Sequence, residues 1–458
     1  MGPLAGKFRI AAGALALTLA CALPAATGCA ASQASASEDL MAGVEPAASP
    51  IDQASLDGPG ARGAADFAVA LFQQNVAEGD NVLVSPLSVL YALGMTANGA
   101  DGETRAQMEE VLGASVDDLN AYLHAYGQTL AANAAAEAAL IAELDDTDAA
   151  ESGADDAEGA KDGTADSNVA TGPLKLANAL WIKNGFDVRQ PFLQTNADHY
   201  GAGAFRAPFD QGTAGDINAW VNEHTDGMIE SVLDDIPPEA VMYLVNALAF
   251  DATWVSPYEE GAVEEGIFTA ADGTQQKAQM MSSTEDLYLE DGEAAGFVKP
   301  YREGSFAFVA LLPPEGMSVQ DYAATLTGER LQDVLDDARP AAVQATMPKF
   351  ESEFGTDLST SLKALGMPDA FDPDVADFTR LSEDADALCI GSVLHKTHIA
   401  VDEQGTKAGA ATVVGMSKMS AMGPDEEKTV CLDRPFVYLI VDQQANLPVF
   451  VGALTTLE

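Results

Sequence analysis

Apolar residues recur at helical spacing from Ala64 to Val76 (AADFAVALFQQNV), and this pattern predicts an amphipathic helix. A second helix is expected from Val89 to Asn98, because Ser85 and Pro86 just before it read as an N-cap and a first-turn proline. A short helix is expected over Gly102–Leu112, and an increasingly Ala-rich one from Ser115 to Leu144. Leu176–Ile182 (LANALWI), Leu244–Phe250 (LVNALAF) and Val437–Val441 (VYLIV) are short apolar runs and read as buried strands. Late in the chain, Glu403–Ser420 starts with a turn-like glycine, continues through small residues and gains β-branched ones. If it were extended, Thr406, Ala408, Ala410, Thr412 and Val414 would share one face, all of them small or apolar. The only charge, Lys407, falls on the other face, so the first set is assigned to the buried side.

Composition narrows the field. The chain has 458 residues and a formal charge of −49, which makes nucleic acid and anionic membrane surfaces poor partners. Lys7 and Arg9 precede an apolar run, Ile10–Ala22, that is too short to span a bilayer, so residues 1–28 read as an export signal. Ala26-Thr27-Gly28-Cys29 resembles a bacterial lipobox, in which the cysteine is lipidated, although Ala26 stands where leucine is usual. Residues 29–62 then read as a flexible tether between a lipid anchor at Cys29 and a folded body over 63–458. Residues 145–173 are Asp, Glu, Ala, Gly and Ser with almost no large apolar side chain, and read as a disordered acidic insertion. Cys389 and Cys431 are the two cysteines of the body and are expected to stay unpaired.

Short motifs then line up in order. Val393-Leu394-His395-Lys396 is followed by Glu403-Gln404-Gly405-Thr406, the small-residue run ending in Thr412, and Arg434-Pro435-Phe436. Upstream lie Ser85-Pro86-Leu87-Ser88, Ile217-Asn218-Ala219-Trp220-Val221, Trp254 with Pro257-Tyr258, Lys299-Pro300-Tyr301 and Met347-Pro348-Lys349-Phe350. This ordered set resembles the serpins, the serine protease inhibitors, over about residues 63–458. The resemblance implies an α+β serpin fold, with a large central sheet, additional sheets, about eight or nine helices and an exposed reactive-centre loop.

It also implies a mechanism. A protease attacks the loop and forms an acyl-enzyme; the cleaved loop then enters the sheet as a new strand and traps the enzyme. By family spacing the scissile bond is Met419-Ser420, with Lys418 and Met422 as alternatives. Methionine there suits the apolar pockets of elastase-like or chymotrypsin-like enzymes. The hinge is Glu403, Gly405, Thr406, Ala408, Ala410 and Thr412, and the region where the strands part is Ser85, Ser88, Asn218, Trp254 and His395, with His395 expected near Ser85 and Asn218. No Lys or Arg occurs from Gln107 to Ala160, so glycosaminoglycan activation is not expected. A monomer whose partner is a serine protease, with no cofactor, is expected.

An enzyme reading finds little support. None of HExxH, a CxxC pair, a P-loop or a G-x-S-x-G elbow is present. His395 and His398 are three apart and, on a strand, face opposite sides, which suits no single metal ion.

Overall fold

The computed structural model describes residues 37–47, 53–77, 79–152, 170–237, 240–259, 261–302, 305–383, 388–407 and 427–457. Among these are nine α-helices and two nine-stranded sheets. The first sheet runs Glu38–Asp39, Gly203–Ala207, Leu174–Lys183, Met242–Phe250, Ser392–Val401, Gly405–Lys407, Ala252–Thr253. Phe350–Asp357 flanks Ser392–Val401, and Ala170–Thr171 pairs with Leu174–Lys183. The second sheet centres on Gln275–Asp291, Ala294–Pro300, Phe306–Leu312 and Phe436–Asp442, each antiparallel to the next.

The predicted strands are there for the expected reason. All nine residues of Met242–Phe250 and all seven of Phe436–Asp442 are buried, which is what unbroken apolar runs require. The Pro86–Ala97 helix is buried along its entire length between the sheets, capped by the Ser85 hydroxyl accepting the Ser88 N–H. On the opposite face of the first sheet lies the Gln211–His224 helix, opened by an Asp210–Thr213 capping box. Its Ile217 and Val221 pack over Tyr243, Val245 and Ala247 in a second, smaller core.

Two segment boundaries differ from expectation. The presumed tether is partly built into the body. Glu38–Asp39 pairs antiparallel with Gly203–Ala207 at the sheet edge, the Leu40 amide donates to the Ala204 carbonyl, and Glu38 pairs with Arg206 at 3.0 Å. Leu40, Met41 and Val44 pack against the core, and helix begins at Pro59. Scattered apolar residues in an otherwise polar segment give no periodic signal, so an edge strand this short is invisible to pattern reading. The helix expected to stop at Leu144 continues to Ser152, taking the first eight residues of the acidic insertion with it. The Ala-rich turns before residue 145 are strong helix formers, and helix once nucleated propagates through weaker formers, so low hydrophobicity did not imply loss of helix.

Candidate functional site

The site is built around Ser392–Val401. On one side this strand pairs antiparallel with Phe350–Asp357 over eight residues. On the other it runs parallel to Met242–Phe250, from Ser392 opposite Tyr243 to Lys396 opposite Ala247. Beyond Lys396 that parallel ladder stops. The chain turns back at Asp402–Gly405, with the Asp402 amide on the Gly405 carbonyl at 3.0 Å. The short strand Gly405–Lys407 then enters the gap, placing Lys407 opposite Ala400 and Thr406 opposite Val401. Ala252–Thr253 closes its other side.

The expected hinge is therefore already in the sheet at its first residues. Thr406 is fully buried and its hydroxyl bonds the Tyr301 hydroxyl. Burial holds the Tyr301 phenol well above its usual range. Gly405 lies so close to Ala252 that a Cβ there would fall 2.0 Å from the Ala252 carbonyl oxygen. Glu403 pairs with Lys349 at 2.7 Å, and this hydrogen bond holds its carboxyl below the usual range. Trp254, fully buried, donates its indole N–H to the Asp402 carbonyl at 2.9 Å and its amide to the Gln404 carbonyl at 2.8 Å. It stacks on Tyr301 with centroids 4.4 Å apart.

A second group lies deeper, beneath the strands. Asn178, Asn246 and His395 occupy one row across three neighbouring strands. The Pro86–Ala97 helix points its first turn at this row. The Ser85 amide donates to His395 Nε2 at 3.0 Å, and the Ser85 hydroxyl donates to the Val449 carbonyl at 2.9 Å. Ser88 bonds the Asn246 amide side chain, which reaches Asn178 at 2.5 Å. His395 accepts at Nε2, so its proton sits on Nδ1, and burial lowers its pKa to about 4.

Asn218 does not belong to this group. It caps a turn on the far side of the sheet, accepting from the Val232 and Leu233 amides and donating to the Leu233 carbonyl. Its place beside Ser88 is taken by Asn246, and the sequence signal was a lone Asn inside each of two apolar runs, Ala177-Asn178-Ala179-Leu180 and Val245-Asn246-Ala247-Leu248. A buried amide in the middle of a strand requires partners, and the helix terminus supplies them. Ala408, Ala410, Thr412, the Met419-Ser420 bond and Cys29 lie outside the described residues. Cys389 and Cys431 are both free and half-buried, and burial raises both thiols.

The short hinge strand thus lies beyond the end of the parallel ladder between Met242–Phe250 and Ser392–Val401, with a buried polar row beside that ladder. The family profile for serpins, serine protease inhibitors, matches residues 62–457, and the chain belongs to that family. The chain is similar to an uncharacterized serpin-like protein of Thermococcus kodakarensis (28% identity, covering 85% of this chain and 83% of that one) and to mouse neuroserpin (27%, covering 83% and 87%). Among solved structures it resembles the thermophilic serpin tengpin in its native state, at 41% identity and TM-score 0.77, over 92% of this chain and 100% of that one. It also resembles the latent state of tengpin, at 39% identity and TM-score 0.70, over 90% of this chain and 100% of that one.

Proposed function

We propose that this chain is an exported, lipid-anchored bacterial serpin that irreversibly inhibits serine proteases of the elastase or chymotrypsin type. The observation that carries the reading is the register of the hinge strand. Each step back along Ser392–Val401 is a step forward along the loop, so on insertion the pairs Ala400–Lys407 and Val401–Thr406 would extend to Ile399–Ala408, Thr397–Ala410, His395–Thr412 and Val393–Val414. Directly opposed residues share a face. Val401, Ile399, Thr397, His395 and Val393 are all buried, with half-buried residues between them. On insertion the small or apolar set of the loop would thus meet the buried face at every step. An entering strand would run antiparallel to both neighbours, and would first have to displace the parallel ladder from Ser392 to Lys396.

The chemistry is the protease's own. Its serine oxygen bonds to the Met419 carbonyl carbon, the Met419-Ser420 bond breaks, and the Ser420 amine leaves with a proton. The ester persists because insertion drags the enzyme across the molecule and distorts its active site before water attacks. The partner is thus a serine protease held covalently by a monomer, and the anchor is Cys29. Incubation with elastase-like and trypsin-like enzymes tests this: a denaturant-resistant adduct is expected, together with a C-terminal fragment starting at Ser420. Clean cleavage without adduct for every enzyme, and no rise in melting temperature after nicking, would make the chain a non-inhibitory binding protein instead.

A further inference from the structure

Behind the hinge lies a buried ion pair that the insertion reading does not use. Lys299 Nζ sits 2.7 Å from Glu285 Oε1, with side-chain exposures of only 1% and 7%. The ammonium also donates to the Ser256 carbonyl at 3.2 Å and lies over the Tyr258 and Trp254 rings, at 4.3 and 5.4 Å from their centroids. Glu285 is held in turn by the Ser283 hydroxyl at 2.6 Å. Fully buried lysines require partners, and here every contact of the ammonium except Glu285 falls on one short segment, Trp254–Tyr258.

That same segment grips the hinge from its other side. The Trp254 amide and indole bond the Gln404 and Asp402 carbonyls, and the Tyr258 amide bonds the Glu403 carbonyl at 3.0 Å. Three successive hinge carbonyls, 402, 403 and 404, are therefore taken by donors from a bracket that one cation contacts from behind. Val255 adds an amide bond to the Pro300 carbonyl at 3.0 Å, next to Lys299 in the chain. Trp254 and Tyr301 stack between this arrangement and Thr406.

We propose that Lys299 and Glu285 are positioning residues that hold the Trp254–Tyr258 bracket against the hinge, and so restrain the loop from entering the sheet before it is cut. The second half rests on the insertion reading; the first half does not. Without the ammonium the Ser256 carbonyl loses its donor and the two rings lose the charge they pack around. The bracket then loosens its hold on residues 402–404 while the strands of both sheets remain in place.

Hydrogen exchange at the Trp254 and Tyr258 amides and the Trp254 indole reads the bracket directly, and the rate at which uncut protein loses inhibitory activity reads its effect. Lys299→Met leaves Glu285 buried and unpaired and can fail to fold, so the deciding variant is the double change Lys299→Met with Glu285→Leu, which removes both charges. In it the three bracket protons should exchange at least about tenfold faster relative to amides of Phe306–Leu312, and activity of the uncut protein should decay at least about tenfold faster at one temperature. Bracket exchange that changes only in step with the Phe306–Leu312 amides would make the pair ordinary core packing and overturn the proposal. If the unmodified protein inhibits no protease, the insertion reading falls, and with it the restraint on entry; the exchange data alone then decide the positioning role.

Discussion

Thr412→Arg is the sharpest perturbation of the insertion reading. On insertion the continued register would bring Thr412 opposite His395, which is 3% exposed, in the row of Asn178 and Asn246. No carboxylate belongs to that row, so an arginine arriving there would be a buried charge without a counter-ion. Such a charge costs about 3–5 kcal/mol. At about 1.4 kcal/mol per factor of ten, the lower figure slows insertion about 100-fold if the whole cost is felt at the barrier, and about tenfold if half is. Ester hydrolysis by the acyl-enzyme not yet trapped is unaffected, so the ratio of hydrolysis to trapping, which is the number of inhibitor molecules consumed per enzyme less one, should rise by at least about that tenfold factor. Titration of residual protease activity measures this number. Ala411→Arg is the control: its register partner is Lys396, half-buried and paired with Glu353 at 3.2 Å on the outward side, so it should change the count by less than about twofold. Equal stoichiometry for Thr412→Arg and Ala411→Arg would refute the register. Thr406→Arg would not serve, because Thr406 is buried before any cleavage.

Three further outcomes are expected. His395 is held neutral with its pKa lowered from 6.5 to about 4, so the unfolded chain binds a proton that the folded one refuses; stability falls as pH drops from 6.5 toward 4, by about 3 kcal/mol in all, and His395→Gln, whose amide oxygen can still accept the Ser85 N–H, should lose that component of the urea-unfolding pH dependence. Identical pH slopes in both proteins would contradict the assignment. Gly405→Ala must push the backbone off Ala252, and should lower stability by about 1–3 kcal/mol with loss of hinge-strand protection in hydrogen exchange. Asn246→Ala leaves Ser88 and Asn178 short of a buried partner, and a urea midpoint unchanged from the parent, against an expected loss of about 1–3 kcal/mol, would remove Asn246 from the row.

The family, the buried strands and the capped helix under the sheet were legible because each carries a local signature: an unbroken apolar run, a Ser-Pro helix start, or motifs in a fixed order. The buried side assigned to Thr406 was legible too, since period two needs no tertiary knowledge. What escaped was anything decided by a neighbour distant in sequence. Asn218 and Asn246 are both strand- or helix-borne amides, and only the packing of Ser88 against one of them separates their roles. That Gly405–Lys407 is already flanked by Ala252–Thr253 and Ser392–Val401 depends on such neighbours. The Lys299–Glu285 pair was hidden for the same reason: a lysine next to a proline announces nothing, and its carboxylate is fourteen residues away across a hairpin.

The docking of Glu38–Asp39 onto Gly203–Ala207 has a bearing on self-association. Bare hydrogen-bonding groups at the margin of a sheet are a template on which another copy can polymerise. Here the molecule supplies its own stopper at that margin, with Leu40 extending the cover to Ala204. Trimming the chain past Leu40 would uncork it, turning a proteolytic nick far from the bait loop into a starting point for aggregates.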